Sequence, residues 1–258
     1  MIQLALFITG TVAGVLGALL GLGGGIFLVP TLTVLFHLPI RTAVGASLLG
    51  VIATSAGVAA MARKGRGADV RLALRLEAAS AAGAIAGGWL AGMVSTQALS
   101  LLFAAVATLS AAYLVYKGRR RADGPSSEHL FSRSYQPRRW PAGLSVASVA
   151  GAVSGLLGVG GGFIKVPAMY AVMGVPLGVA TATSNFMVGI TAAASVFIYY
   201  GRGDIHPEVV VPTALGVFLG AMLGVYVLIR LRVAWVRTAL VGLLFLLSIQ
   251  MVIHAFRS

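Results

Sequence analysis

Apolar residues run along this chain in long stretches with no strand-like alternation: Ile2–Leu22, Thr42–Ala62, Leu72–Val94, Leu99–Tyr116, Ala142–Leu157, Val179–Tyr200, Val209–Ile229 and Thr238–Phe256. A helix rises about 1.5 Å per residue, so roughly 20 apolar residues cross about 30 Å of hydrocarbon, and each stretch predicts a membrane helix. Backbone groups in lipid must be satisfied within their own segment, and without a dyad pattern this favours helices over a barrel. Two shorter apolar runs, Ile26–Leu38 and Phe163–Gly174, fall below spanning length, and each follows a triple glycine. The first stretch lacks a positively charged leader and runs directly into more apolar sequence, so it reads as a retained span.

Composition agrees with the pattern. Of 258 residues, 59% are hydrophobic and only 10% charged, and the mean hydropathy is +0.97. A soluble fold of this size would expose far more apolar surface than water tolerates. The chain has no cysteine, which excludes disulfides, thiolate metal sites and a thiol relay. Its net charge of +13 is concentrated between spans, in 63–75, 117–139 and 230–237. That is the distribution of cytoplasmic loops rather than of a nucleic-acid surface.

The sequence repeats itself. Gly14, Gly21, Gly23, Gly24, Gly25, Pro30, Pro39, Ala43 and Ser47 return 137 positions later as Gly151, Gly158, Gly160, Gly161, Gly162, Pro167, Pro176, Ala180 and Ser184. With small gaps, Lys64-Gly65-Arg66-Gly67 then faces Tyr200-Gly201-Arg202-Gly203, and Gly83/Gly87 faces Gly216/Gly220. The expected organisation is a first transmembrane repeat over 1–116, a basic cytoplasmic linker over 117–141 and a second repeat over 142–258. The fold class is an all-α polytopic membrane protein of about 8–10 membrane segments, with a broken or half helix after each triple glycine. An odd number of crossings per half puts all three basic clusters on one side, makes the halves inverted and leaves both termini outside, with Arg41 also outside; if the short segments only dip in and return, Arg230, Arg232 and Arg237 fall on the side opposite the linker, against the positive-inside rule.

The glycine runs have no soluble explanation. Ile26 and Phe163 stand where a dinucleotide fingerprint needs its third glycine, and no Lys-Ser/Thr follows as in a phosphate loop. Gly14, Gly17 and Gly21, like Gly83/Gly87 and Gly216/Gly220/Gly224, have the spacing of close helix packing. Three adjacent glycines instead weaken a helix over a full turn. The expectation is a helix break at Gly23, Gly24 and Gly25 and again at Gly160, Gly161 and Gly162, helped by Pro30 and Pro167. Each break starts a short helix whose amino end carries partial positive charge. Two such ends brought together by the repeat would form an anion site inside the membrane. Lys165, three residues past the second run, is either part of that site or snorkels to the interface. Ser47, Thr183, Ser184 and Asn185 are candidate uncharged donors, set against the common habit of membrane serines and threonines to bond their own helix. Glu77 and His37 are the candidates for proton coupling. The acidic and histidine residues form no paired-carboxylate or H-E-x-x-H spacing, so no enzyme, cofactor or metal is expected.

Gly21-Leu22-Gly23-Gly24-Gly25-Ile26-Phe27-Leu28-Val29-Pro30, then His37-Leu38-Pro39, Ala43-Val44-Gly45-Ala46-Ser47-Leu48 and Gly65-Arg66-Gly67, with the same pattern repeated in the second half, resembles the TauE/SafE membrane transporter family, also called the sulfonate uptake permease family. The likeness covers nearly everything outside the linker. It implies a bacterial or archaeal inner-membrane carrier of small sulfur oxyanions such as sulfite, thiosulfate or organosulfonates, often an exporter. The motif positions it marks are Gly23–Gly25, Pro30 and Ser47, and Gly160–Gly162, Pro167 and Ser184. Some relatives that handle thiosulfate are thought to use cysteines, which are absent here.

The expected function is therefore a secondary transporter working by alternating access, with the lipid bilayer and a small sulfur anion as partners, and with a proton or a second copy of the chain as further candidates. The alternatives are an anion channel and a non-transporting membrane partner in sulfur metabolism.

Overall fold

The computed structural model describes residues 1–20, 23–61, 68–120, 135–228 and 233–257. Gly21, Leu22, the Lys64-Gly65-Arg66-Gly67 motif, most of the 117–141 linker, Arg230 and Arg232 lie outside the described residues. Everything regular among those residues is helical, in ten segments: α1 Ile2–Leu20, α2 Gly25–Val34, α3 Ile40–Ala60, α4 Val70–Ala91, α5 Thr96–Arg120, α6 Trp140–Leu157, α7 Gly162–Pro167, α8 Leu177–Gly201, α9 Pro207–Leu228 and α10 Val233–Arg257. After Pro167, α7 widens into one π-helical turn over Ala168–Val172. By length and composition, four described stretches suffice to cross a membrane: 40–60, 140–157, 178–201 and 207–226. Lipid suits the outer surface, where Leu4, Ile8, Trp89, Leu109, Phe197, Leu219 and Phe245 are exposed.

Local chemistry explains the helix ends. Asp69 precedes α4 and accepts from the Leu72 amide at 3.0 Å. Ser95 does the same for α5 through the Ala98 amide at 3.3 Å. Pro39 and Pro176 hold extended backbone just ahead of α3 and α8. α6 stops at Gly158, which takes a left-handed φ of 69° and donates its amide to the Ser154 carbonyl at 2.7 Å.

Elements that correspond in the repeat make corresponding contacts, yet the halves are interleaved. α4 packs on α6 and α8, while α9 packs on α1 and α3; α5 lies against α10, and α3 meets α8 at the centre. Both long seams are built on glycine. A Cβ on Gly83, Gly87, Gly151 or Gly155 would overlap backbone across the α4/α6 seam, and one on Gly10, Gly14, Gly216 or Gly220 would do so across α1/α9. The order of these contacts makes α4 parallel to α6 and α1 parallel to α9. α3 and α8 run antiparallel, since Gly45 lies beside Asp204 whereas Ser55 lies beside Asn185 and Gly189.

The two ends of the bundle differ. At one, where α3 begins and α8 ends, Arg41 donates to the Gly92 and Val94 carbonyls at 3.2 and 3.1 Å, and Arg202 donates to Gly88 at 2.8 Å. Both guanidiniums thus satisfy the open carboxyl end of α4. At the other end, where α4 and α8 begin, Tyr135 donates to Asp69 at 2.6 Å and Arg75 lies 5.3 Å from the Trp140 ring centre. Burial alone would raise the Asp69 carboxyl. The Leu72 amide, the Tyr135 hydroxyl, the Arg71 amide and the Arg71 charge together hold it below the ordinary carboxylate value.

Candidate functional site

Both glycine runs interrupt their helices. Gly23 has φ 72°, and α2 begins only at Gly25; Gly160 and Gly161 have φ of 82° and 72°, and α7 begins at Gly162. A side chain would strain each of these left-handed positions. After each turn the chain folds back: Gly24 lies against Ala13, and Gly161 against Ala150 and Ser154. The first intrahelical bonds run from Phe27 and Leu28 to the Gly24 carbonyl and from Ile164 and Lys165 to the Gly161 carbonyl. The amides of Gly25 and Ile26, and of Gly162 and Phe163, therefore precede the first bonds of their helices. The Gly24 amide donates to Thr54 Oγ1 at 3.3 Å.

The two turns meet. A Cβ on Gly25 would overlap the Gly158 carbonyl oxygen, and one on Gly23 would lie 3.8 Å from the Val159 carbonyl oxygen. Ser47, about 10 Å along α3 from its start, donates to that same Gly158 carbonyl at 2.7 Å. One face of α3 thus carries Ser47 at Gly158, Val51 at Gly23 and Ser55, which donates to the Asn185 carbonyl at 2.7 Å. Tyr199 pins the end of α6 just before the turn by donating to the Gly155 and Leu156 carbonyls at 3.0 and 3.2 Å.

Three buried polar atoms have no hydrogen-bond partner: Ser184 Oγ, Asn185 Oδ1 and Ser154 Oγ. Ser184 and Ser154 are fully buried and Asn185 is 8% exposed. Unsatisfied polar groups at such depth cost free energy, and a ligand that bonds them recovers it. Asn185 sits beside α3 within a turn of Val51, and Ser154 borders Gly161. Ser184 is the repeat counterpart of Ser47.

Other expected residues lie elsewhere. Thr183 faces the start of α4, where its hydroxyl accepts from the Asp69 amide at 2.9 Å. Pro30 does not break a helix: it sits inside α2, where the Thr31 and Thr33 hydroxyls bond nearby carbonyls and the missing amide is tolerated. Pro167 ends the α-helical part of α7 but leads into the π-helical turn rather than a stop. His37 is exposed in the α2–α3 loop with φ 53°, at the opposite end of α4 from Glu77. Neither snorkelling nor a free charge describes Lys165. It is 2% exposed, lies 3.5 Å from Glu77 Oε2 and donates to Thr191, whose hydroxyl also contacts Glu77 Oε1. Thr191 further bonds Met187 O at 3.0 Å and shares a 3.1 Å hydrogen bond with Ser80.

Thr191, Thr54, Ser80, Ser154 and Tyr199 did not stand out in the sequence. Thr54 and Thr191 are themselves repeat partners at the 137 offset, a signal that was available.

The profile of the family described as Sulfite exporter TauE/SafE matches residues 6–251. The chain is 28% identical over 237 residues to the Probable membrane transporter protein YunE of Bacillus subtilis (strain 168), covering 85% of this chain and 86% of that protein. It is 26% identical over 230 residues to the Probable membrane transporter protein YdhB of the same organism, covering 87% and 88%. No solved structure matches.

Proposed function

The chain belongs to the sulfite exporter TauE/SafE family, a family of multi-pass membrane transporters, and from that premise we propose that it is a secondary transporter of a small sulfur-containing anion, sulfite, thiosulfate or an organosulfonate. The observation that carries the proposal is the meeting of the two glycine turns, where Gly25 at the start of α2 packs on the Gly158 carbonyl four residues before α7 begins, which supports an anion site shared by the two turns. First-turn amides and helix dipoles attract an anion without a free cation, as Lys165 is already neutralised by Glu77. Ser184, Asn185 and Ser154 supply further unspent polar atoms. A tetrahedral oxyanion suits this array because its oxygens accept in several directions at once.

The antiparallel α3 and α8 support inverted halves, and inverted halves support alternating access, in which the repeats rock about the glycine turns. Arg71, Arg75, Arg138 and Arg139 cluster where α4 and α6 begin, which supports a cytoplasmic location for that end and termini on the outside. Arg41 and Arg202, at the other end, are occupied by the carboxyl end of α4.

The test is flux into proteoliposomes holding the purified chain, with sulfite, thiosulfate, sulfate, taurine and sulfoacetate offered separately. Saturable, competitive uptake of a sulfur anion supports the reading; no uptake of any of them overturns it, and unitary channel currents would replace the carrier with a pore.

A further inference from the structure

The Glu77–Lys165 pair departs from the repeat. Across the repeat Lys165 corresponds to Leu28 on α2 and Glu77 to Val210 on α9, so the related position in the fold carries two apolar side chains. Packing therefore does not require the charges, and ionised groups at this depth are expensive enough to imply a use. The pair also bridges three elements: Glu77 two turns into α4, Lys165 on α7 and Thr191 on α8, the last touching both charged groups. Lys165 sits one turn from Gly161, to whose carbonyl its own amide donates at 3.1 Å. Helical side chains lean towards the amino end, which directs the lysine stem back along α7 in the sense of its first turn.

Resting on the anion-transport reading, we propose that this pair couples a proton to the anion: an anion arriving at the glycine turns takes Lys165 from Glu77, and Glu77 takes up a proton, so that the two move together. For a monovalent anion the charge balances. Before binding, carboxylate and ammonium sum to zero; afterwards ammonium and anion do, and the carboxylic acid is neutral. Thr191, within reach of both groups, can donate to the carboxylate or accept from the acid. Among the described residues, Lys165 is the charged group facing Glu77. α6 has no titratable residue over 141–157, α8 presents Thr191, and α4 adds the Ser80 hydroxyl while its Arg71 and Arg75 are exposed. Tyr170, beyond α7, is 50% exposed.

The experiment uses the full chain in proteoliposomes with an internal pH dye, and methanesulfonate and thiosulfate as probes because their charge is insensitive to pH. The wild type is expected to acidify the lumen as it takes up methanesulfonate, and to bind it about tenfold more tightly for each unit of falling pH while Glu77 stays ionised in the free protein. Glu77→Gln, a permanent mimic of the acid, should bind with no such pH dependence. The double variant Glu77→Val with Lys165→Leu, which copies the repeat-related residues Val210 and Leu28, should move no protons with either probe.

Uptake by the wild type without proton movement, or an unchanged pH dependence in Glu77→Gln, overturns the coupling and leaves the transport reading standing. A wild type that moves neither these probes nor any sulfur anion overturns both. The wild-type measurements decide the question even if a variant fails to fold.

Discussion

Gly25→Ala adds a single methyl at the point where the two glycine turns touch. That carbon would overlap the Gly158 carbonyl oxygen and lie 2.7 Å from Ser47 Oγ and 3.0 Å from Val51 Cγ2. Two of these neighbours cannot swing away: the carbonyl is backbone, and Ser47 is held by its 2.7 Å bond to that same oxygen. The turns must therefore part by about 1 Å, and overpacking of this order costs about 1–3 kcal/mol. If the parted region is the anion site, loss of the same size in binding would weaken affinity about 5- to 150-fold. Gly201→Ala is the control, because nothing lies within 4 Å of a Cβ there. The assay pairs thermal unfolding in detergent with titration of the transported anion. Gly25→Ala should lower both stability and affinity, and Gly201→Ala neither. A monodisperse Gly25→Ala protein with wild-type affinity would refute the placement of the site at this contact.

Ser47→Ala and Ser184→Ala should differ in stability although their positions correspond: the first loses the bond to Gly158, about 1 kcal/mol, and the second removes an unsatisfied buried hydroxyl and melts no lower than wild type. Both should weaken anion binding in the same titration. Glu77→Leu alone strands the buried Lys165 and should cost about 3–5 kcal/mol, whereas Glu77→Val with Lys165→Leu should be near neutral, as thermal unfolding will report. Asp69 is held below its ordinary value, so its contribution is complete above the unfolded-state value near 3.9 and is lost as pH falls through the folded-state one. Asp69→Ala should accordingly cost about 1 kcal/mol at neutral pH by uncapping α4, and the difference from wild type should shrink in strong acid.

What was readable in the sequence was local. Apolar runs located the long helices, and three adjacent glycines located the breaks, because both effects act within a turn or two of chain. The breaks fall at left-handed glycines, Gly23 ahead of α2 and Gly158, Gly160 and Gly161 between α6 and α7, rather than at Pro30, since a left-handed φ interrupts a helix while an enclosed proline only removes one bond. The interleaving of α4 with α6 and of α9 with α1 was out of reach, because small-residue faces show that a helix packs closely without naming its partner. The same limit hid the 88-residue step between Glu77 and Lys165. Each was visible as an isolated charge in apolar sequence, and the rule that such charges pair would have joined them. The partner of Thr183 was hidden for a related reason. Successive positions on α8 point to different neighbours, so Thr183 serves the cap of α4 while Ser184 stays buried and unpartnered.

The chain is free of cysteine, so a single thiol can report on one position. The most direct measurement is the rate at which Ser184→Cys, in sealed vesicles of known orientation, reacts with a membrane-impermeant sulfonated thiol reagent applied to either side, with and without the transported anion. Alternating access around the glycine turns predicts modification from both sides and slowing by the anion from both. Modification that ignores the anion, or that occurs from one side only, would contradict it.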